Sequence, residues 1–254
     1  MEEVLFGPSA KGIKPSDLES ARTILVARFK DATINKYFSV LKAAFFLALR
    51  NGKVDKNPVC QIRMLKLNNA RTRYLSNEEE ERLMAVLPKE YQPMTKLAIN
   101  TGLRKMELFS LQWADLNFQQ RVIMVRESKS GESRTVPMNA TVMDAFTSIV
   151  RRIDSPFVFP GNLLGTHRTD LPKSWEKFLG TAGIKNFVWH DLRHTFGSRL
   201  AMKGVDIYTI SKLIGHKTIT MTQRYAHLSP GHLQEAVNVL DRSVSGTKTG
   251  TGGL

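Results

Sequence analysis

One β interruption in a chain whose other periodic stretches are helical does most to bound the fold class. The runs RVIMVRE (121–127) and RTVPM (134–138) are rich in β-formers and flank SKSGES, with Gly131 near its tip, so they predict an antiparallel hairpin. SPFVFPG (155–161) predicts one further short strand. Around this island the period is helical. ATINKYFSVLKAAFFLALRNG (32–52) repeats Ile34, Phe38, Leu41, Phe45 and Leu49 at helical spacing and stops on Gly52. Ser16 with Glu19, and Ser76 with Glu79, form capping-box pairs that open two more helices, and helices return from about 171 to 241. The expectation is a mainly α fold with a small antiparallel β-sheet, of the α+β class.

After Pro58 an extended basic stretch, VCQIRMLKLNNARTRYL, reads either as a DNA-facing linker or as a surface loop, and it places a domain boundary near residue 70. The expected organisation is a helical segment 1–69, a larger domain 70–241 and a tail 242–254, whose Gly, Ser and Thr content is too polar to offset chain ordering.

Thirty-seven Lys plus Arg against 23 Asp plus Glu gives a formal charge of +14, which favours a polyanionic partner, above all nucleic acid, over a merely solvated basic surface. No apolar run approaches the roughly 20 residues that cross a bilayer, and MEEVLFGPSAKG has no basic segment leading into a long apolar one. The lone cysteine, Cys60, forms no intramolecular disulfide and reads as a small buried apolar residue, which suits a reducing cytoplasm. GPSAKGIK approaches a phosphate-binding loop but carries Ile13 where lysine is required, so no nucleotide is expected.

HDLRHTF (190–196) sets His190, Arg193 and His194 at i, i+3 and i+4, on one face of a helix. Zinc is disfavoured, because Asp191 stands where the H-E-x-x-H motif has glutamate and Arg193 puts a fixed positive charge beside the metal position. A phosphate suits the set better. Guanidinium makes bidentate bonds to phosphate oxygens, and a neighbouring imidazole donates or carries a proton. His194 alone reads as a hydrogen-bonded structural histidine; His167, His227 and His232 read as surface groups, Trp113 and Trp189 as core, and Tyr37, Tyr74, Tyr91 and Tyr208 as packing residues.

Other parts converge on the same chemistry. NTGLRKMELFSLQW supplies Arg104 with Glu107 three residues on, the hairpin turn supplies Lys129, and LIGHKTITMTQRYAHL carries His216 and Tyr225. T-G-L-R-x-x-E-L, the turn lysine, H-x-L-R-H-T-F, L-x-G-H and a terminal tyrosine stand in the order found in tyrosine recombinases. Over roughly residues 71 to 240 the chain resembles that phage-integrase family, which includes the Xer-type enzymes. The helix at 32–52 followed by NPV is similar to the end of the family's DNA-gripping domain. It accounts for about two helices where that domain commonly has four or more, so the segment reads as a partial one.

The resemblance implies that Arg104, Lys129, His190, Arg193 and His216 activate a DNA phosphodiester for attack by Tyr225. Arg104 and Arg193 would bind the non-bridging oxygens, Lys129 would protonate the departing 5′ oxygen, His190 would assist the nucleophile's proton transfer and His216 would donate to the phosphate. Glu107 would orient Arg104. Holding a phenol of pKa about 10 as phenolate at pH 7 costs on the order of 4 kcal/mol, which the cationic groups must offset. The implied product is a 3′-phosphotyrosyl link, formed without metal, nucleotide or other cofactor and resolved by a 5′ hydroxyl of a partner duplex. The implied partner is double-stranded DNA, bound by a homotetramer spanning two sites, with no membrane role and a cytoplasmic, nucleoid-associated location. The stripe Leu233, Ala236, Val237, Leu240 would dock on a neighbouring subunit or pack on its own domain. A type IB topoisomerase and a non-cleaving DNA-binding protein are the alternatives on the same fold.

Overall fold

In the computed structural model, residues 10–67, 72–126, 133–229 and 237–238 are described. The chain divides into two compact units, Met1–Arg71 and Thr72–Leu254. Lys129 and Gly131, His232, the positions 233, 236 and 240 of the last apolar stripe, Gly7, Pro8 and Ser9 of the GPSAKG segment and the tail 242–254 lie outside the described residues.

The first unit is built on α1 (Pro15–Val26) and α2 (Asp31–Arg50). Proline at the first helical position fixes φ where no N–H is needed, so α1 starts two residues earlier than the Ser16 cap predicts. The carboxylate of Asp17, not Glu19, accepts from the Lys14 backbone N–H at 2.9 Å. Leu18 and Leu25 of α1 meet Ile34, Phe38 and Phe45 of α2 in one cluster closed by Val54, Val59 and Ile62, while Leu49 of the predicted stripe is exposed. By length and composition alone α2 reaches the limits for a membrane span, which corrects the expectation that no segment approaches them. Lys36 and Lys42 lie within it, and each charge at a bilayer centre would cost about 3 kcal/mol. Cys60 is exposed, not buried, because the 3-10 turn Pro58–Gln61 turns Pro58 and Val59 to the core instead.

In the second unit the Ser76–Glu79 pair caps α3 (Asn77–Val86) from both sides: Glu79 N–H donates to Ser76 Oγ, and Ser76 N–H to Glu79 Oε2, each at 3.1 Å. Then follow α4 (Gln92–Thr101), α5 (Lys105–Phe109) and a three-stranded antiparallel sheet of order β1-β2-β3. The hairpin is β2 (Val122–Val125) with β3 (Arg134–Pro137), in the register Val122 opposite Pro137 and Val125 opposite Arg134. A two-residue strand, β1 (Leu116–Asn117), pairs with β2 beyond what the sequence suggests. The segment 155–161 makes only isolated bridges, Gln112 with Phe157 and Pro160 with His167, since Pro156 and Pro160 remove ladder donors. Helices α6 (Ala140–Thr147), α7 (Trp175–Thr181), α8 (His190–Met202) and α9 (Ile207–Ile214) complete the described helices.

The core joins α4, the sheet, α6 and α8 through Leu97, Phe109, Ile123, Phe146, Trp189 and Leu192. Of the other aromatic expectations, Tyr37 and Tyr208 are exposed and Trp113 is half-buried. After α9 the predicted helix gives way to two 3-10 turns, Ile219–Met221 and Gln223–Leu228, and the second packs on α8.

Candidate active site

Arg104 sits at the junction between α4 and α5, where Glu107 occupies the first turn of α5. The Arg104 backbone N–H donates to Glu107 Oε2 at 2.9 Å, and its guanidinium donates to Oε1 at 2.6 Å and to the Gly215 carbonyl at 2.9 Å. Arg134, on β3, grips the same carboxylate through Oε1 at 3.2 Å and Oε2 at 2.8 Å. Glu107 therefore orients two guanidinium groups that arrive from a helix start and a strand. Burial pushes its carboxyl up, but the bonds and charge of Arg134 and the bonds from Arg104 prevail and hold it at about 2.

That depressed pKa makes a pH-dependent contribution to stability. Glu107 stabilises the fold by roughly 3 kcal/mol above the unfolded carboxyl pKa of about 4.3, and this is lost as pH falls towards 2. Urea unfolding followed from pH 7 to pH 2 should show the loss in the wild type, and a flatter curve from a lower plateau in Glu107→Gln.

Gly215 ends α9 with φ 74°, a left-handed conformation that side chains rarely adopt. An added Cβ would also lie 2.8 Å from the Arg134 guanidinium carbon. The turn thus delivers its carbonyl to Arg104 and sets the next residue, His216, half-buried with Nδ1 2.8 Å from Thr222 Oγ1. Burial, then the charges of Arg193 and Arg104, push His216 down to about 3, so it is neutral at pH 7.

From α8, Arg193 is 3% exposed and donates to the Gly102 carbonyl at 2.7 Å. Burial and then the charge of Arg104 lower its pKa to about 9, against the opposing pull of Glu107, and it stays cationic at neutral pH. His190, the first residue of α8, is exposed and lines a cleft of about 390 Å³ with Arg104, Lys105, Glu107, Asp115 and Arg126. Burial of its ring atoms and the charge of Arg193 lower its pKa.

Tyr225 lies in the second 3-10 turn with no exposed surface, in a cluster with Ala201, Ile210 and Ile214. Its ring rests on α8 at Gly197, where any Cβ would come within 2.8 Å of the ring. The hydroxyl is 2.7 Å from Nδ1 of His194, one residue along from Arg193. Burial pushes the phenol up to about 12, although Arg193 and Arg224 pull it down. The neutral phenol is then favoured at pH 7 by roughly 7 kcal/mol.

The structure brings Arg104, Glu107, Arg193, His190, His216 and Tyr225 into one neighbourhood, while Lys129 lies outside the described residues. His194, read as structural, is buried and hydrogen-bonded, and its partner is the Tyr225 hydroxyl; no hydrogen bond joins His190 to that oxygen. Arg134 and Arg224 escape the sequence reading. The face shared by His190, Arg193 and His194 held a signal for His194, whereas nothing in local spacing marks the arginines. Among the described residues no group of three or more His, Cys, Asp or Glu could hold a metal ion.

The profile of the phage integrase family matches residues 73–232. The integrase of Salmonella phage P22 is 31% identical over 230 residues, covering 85% of this chain and 59% of that protein. The tyrosine recombinase XerA of Pyrococcus furiosus is 30% identical over 251 residues, covering 93% and 86%. The Tn1549 transposon integrase, solved in complex with circular intermediate DNA, superposes with a TM-score of 0.71 at 26% identity, over 91% of this chain and 85% of that one. The catalytic domain of bacteriophage HP1 integrase gives 0.52 at 27% identity, over 68% and 98%.

Proposed function

Because the chain belongs to the phage integrase family, we propose that it is a site-specific DNA recombinase that cuts and rejoins DNA through a 3′-phosphotyrosyl bond at Tyr225. One observation carries this reading: the 3-10 turn bearing Tyr225 packs on α8, so its hydroxyl meets the helix that bears Arg193 and His190. Tyr225 Oη attacks the phosphorus, the bond to the 5′ oxygen breaks, and Lys129 protonates that oxygen. Arg104 and Arg193 engage the non-bridging oxygens, where fixed cations stabilise the charge of the transition state without a metal ion. His190, on the cleft wall, passes the nucleophile's proton towards water. His216 donates from Nε2 to the phosphate, its Nδ1 being engaged with Thr222. A 5′ hydroxyl from a second duplex then attacks the phosphotyrosine, so no nucleotide hydrolysis is required.

The partner is double-stranded DNA, bound as a homotetramer on two sites, in the cytoplasm and at the nucleoid. Residues 1–69 supply part of the DNA grip and 70–241 the catalysis. The Tn1549 integrase was solved with DNA, which supports that partner. The test offers the full chain a pool of randomised duplexes nicked on one strand, without metal or ATP. A detergent-resistant protein–DNA adduct should form, its enriched sequences defining the target and its mass-mapped attachment falling on Tyr225. No adduct, or attachment elsewhere, overturns the reading. With the selected site in hand, recombination between two duplexes and the absence of supercoil relaxation separate a recombinase from a topoisomerase.

A further inference from the structure

His194 lies one turn after His190 on α8, its side chain buried, with both ring nitrogens facing polar partners. Nδ1 is 2.7 Å from Tyr225 Oη, and Nε2 faces the Arg224 guanidinium at 3.4 Å. A guanidinium can only donate, so Nε2 is the acceptor of that contact. A neutral imidazole carries one proton, which then stands on Nδ1 and points at the tyrosine oxygen.

The ring's neutrality follows from its surroundings. Burial comes first, followed by His190 at 5.0 Å between ring centroids, then Arg224 on the 3-10 turn and Arg193 on α8, and together they bring His194 down to about 4. His216, after α9, belongs to the same electrostatic cluster. A histidine serving as base here would need Nδ1 bare and Nε2 protonated, which would set one N–H donor against another at Arg224.

We propose that His194 is a further catalytic residue, donating its Nδ1–H to the Tyr225 oxygen to stabilise the phenolate, with Arg224 the positioning residue that selects this tautomer. The proposal rests on Tyr225 being the nucleophile. The phenolic proton leaves by way of His190 towards water, the oxygen forms its bond to phosphorus, and the departing 5′ oxygen takes its proton from the general acid. In rejoining, the tyrosine oxygen is the leaving group, and the same N–H stabilises its returning charge. His194 thus serves both half-reactions as a donor, which a base could not do without changing protonation state.

The test measures the rate of adduct formation against pH on the nicked duplex selected by the wild-type chain, with DNA affinity and thermal unfolding as controls. Asparagine places an amide N–H near the position of Nδ1, so His194→Asn should keep the rate within a few-fold and leave the pH profile in place. His194→Leu should lose about 10²-fold near neutrality, the typical effect of removing one preorganised donor, and recover towards high pH. Arg224→Leu should move the profile in the same direction by less. If His194→Asn is as slow as His194→Leu, the ring must accept a proton and the proposal fails. It fails too if His194→Leu, or Arg224→Leu should the former not fold, lowers the rate with its pH profile unmoved. A wild-type chain that forms no adduct, or an adduct elsewhere, defeats the nucleophile reading instead.

Discussion

Tyr225→Phe should abolish the covalent protein–DNA adduct while leaving DNA affinity within about twofold of the wild type. The hydroxyl is the only atom the substitution removes, and its contact is the hydrogen bond to His194. The ring remains in its place against Gly197 and Ile214, so the packing of the 3-10 turn on α8 is preserved. Removing one neutral hydrogen bond of this kind changes stability by about 1 kcal/mol. Chemistry responds on another scale, because no other oxygen occupies the nucleophile's place. An electrophoretic assay under denaturing conditions reads the adduct, and fluorescence anisotropy reads binding. An adduct of undiminished yield in the variant would remove Tyr225 from the mechanism.

Arg193→Met should lower adduct formation by about 10³-fold or more and at the same time raise the thermal midpoint. The two signs have one cause. Arg193 is held cationic in a buried site near Arg104 and Arg134, and its pKa falls to about 9 because the fold without phosphate opposes the charge. Relative to its ordinary value of 12.5, that depression corresponds to an upper bound of roughly 5 kcal/mol of unfavourable charge burial. Methionine fills a similar volume without the charge. It forfeits the bond to the Gly102 carbonyl, a loss of about 1–3 kcal/mol, so the net gain is at most about 2–4 kcal/mol. In the proposed reaction a DNA phosphate would neutralise this repulsion, and the stored unfavourable charge would become affinity for the anionic transition state. Thermal melts of free protein and adduct rates on the selected duplex check both signs. A variant that is less stable and equally active would contradict this account of the site.

The charge state of Tyr225 belongs to the same balance. Burial raises the phenol to about 12 against the opposing pull of Arg193 and Arg224, so the hydroxyl stays protonated at neutral pH.

The helix-dominated class, the single hairpin and the order of motifs were legible in the chain because each is local: period, capping and turn chemistry act within a few residues. Arg104, Glu107, His190, Arg193, His216 and Tyr225 could be singled out because the motifs that carry them stand in the order that resembles the phage integrase family. Where locality ended, so did legibility. That Glu107 serves Arg134 as well as Arg104, that the Gly215 carbonyl anchors Arg104 across 111 positions, and that His194 rather than His190 meets the tyrosine hydroxyl are consequences of packing. Electrostatic character followed the same division. Sequence alone determined which groups can carry charge, whereas only burial and the company of distant residues decided that Glu107 stays ionised to about 2 and Tyr225 stays neutral to about 12, because the cost of a charge depends on how much water the fold removes from it.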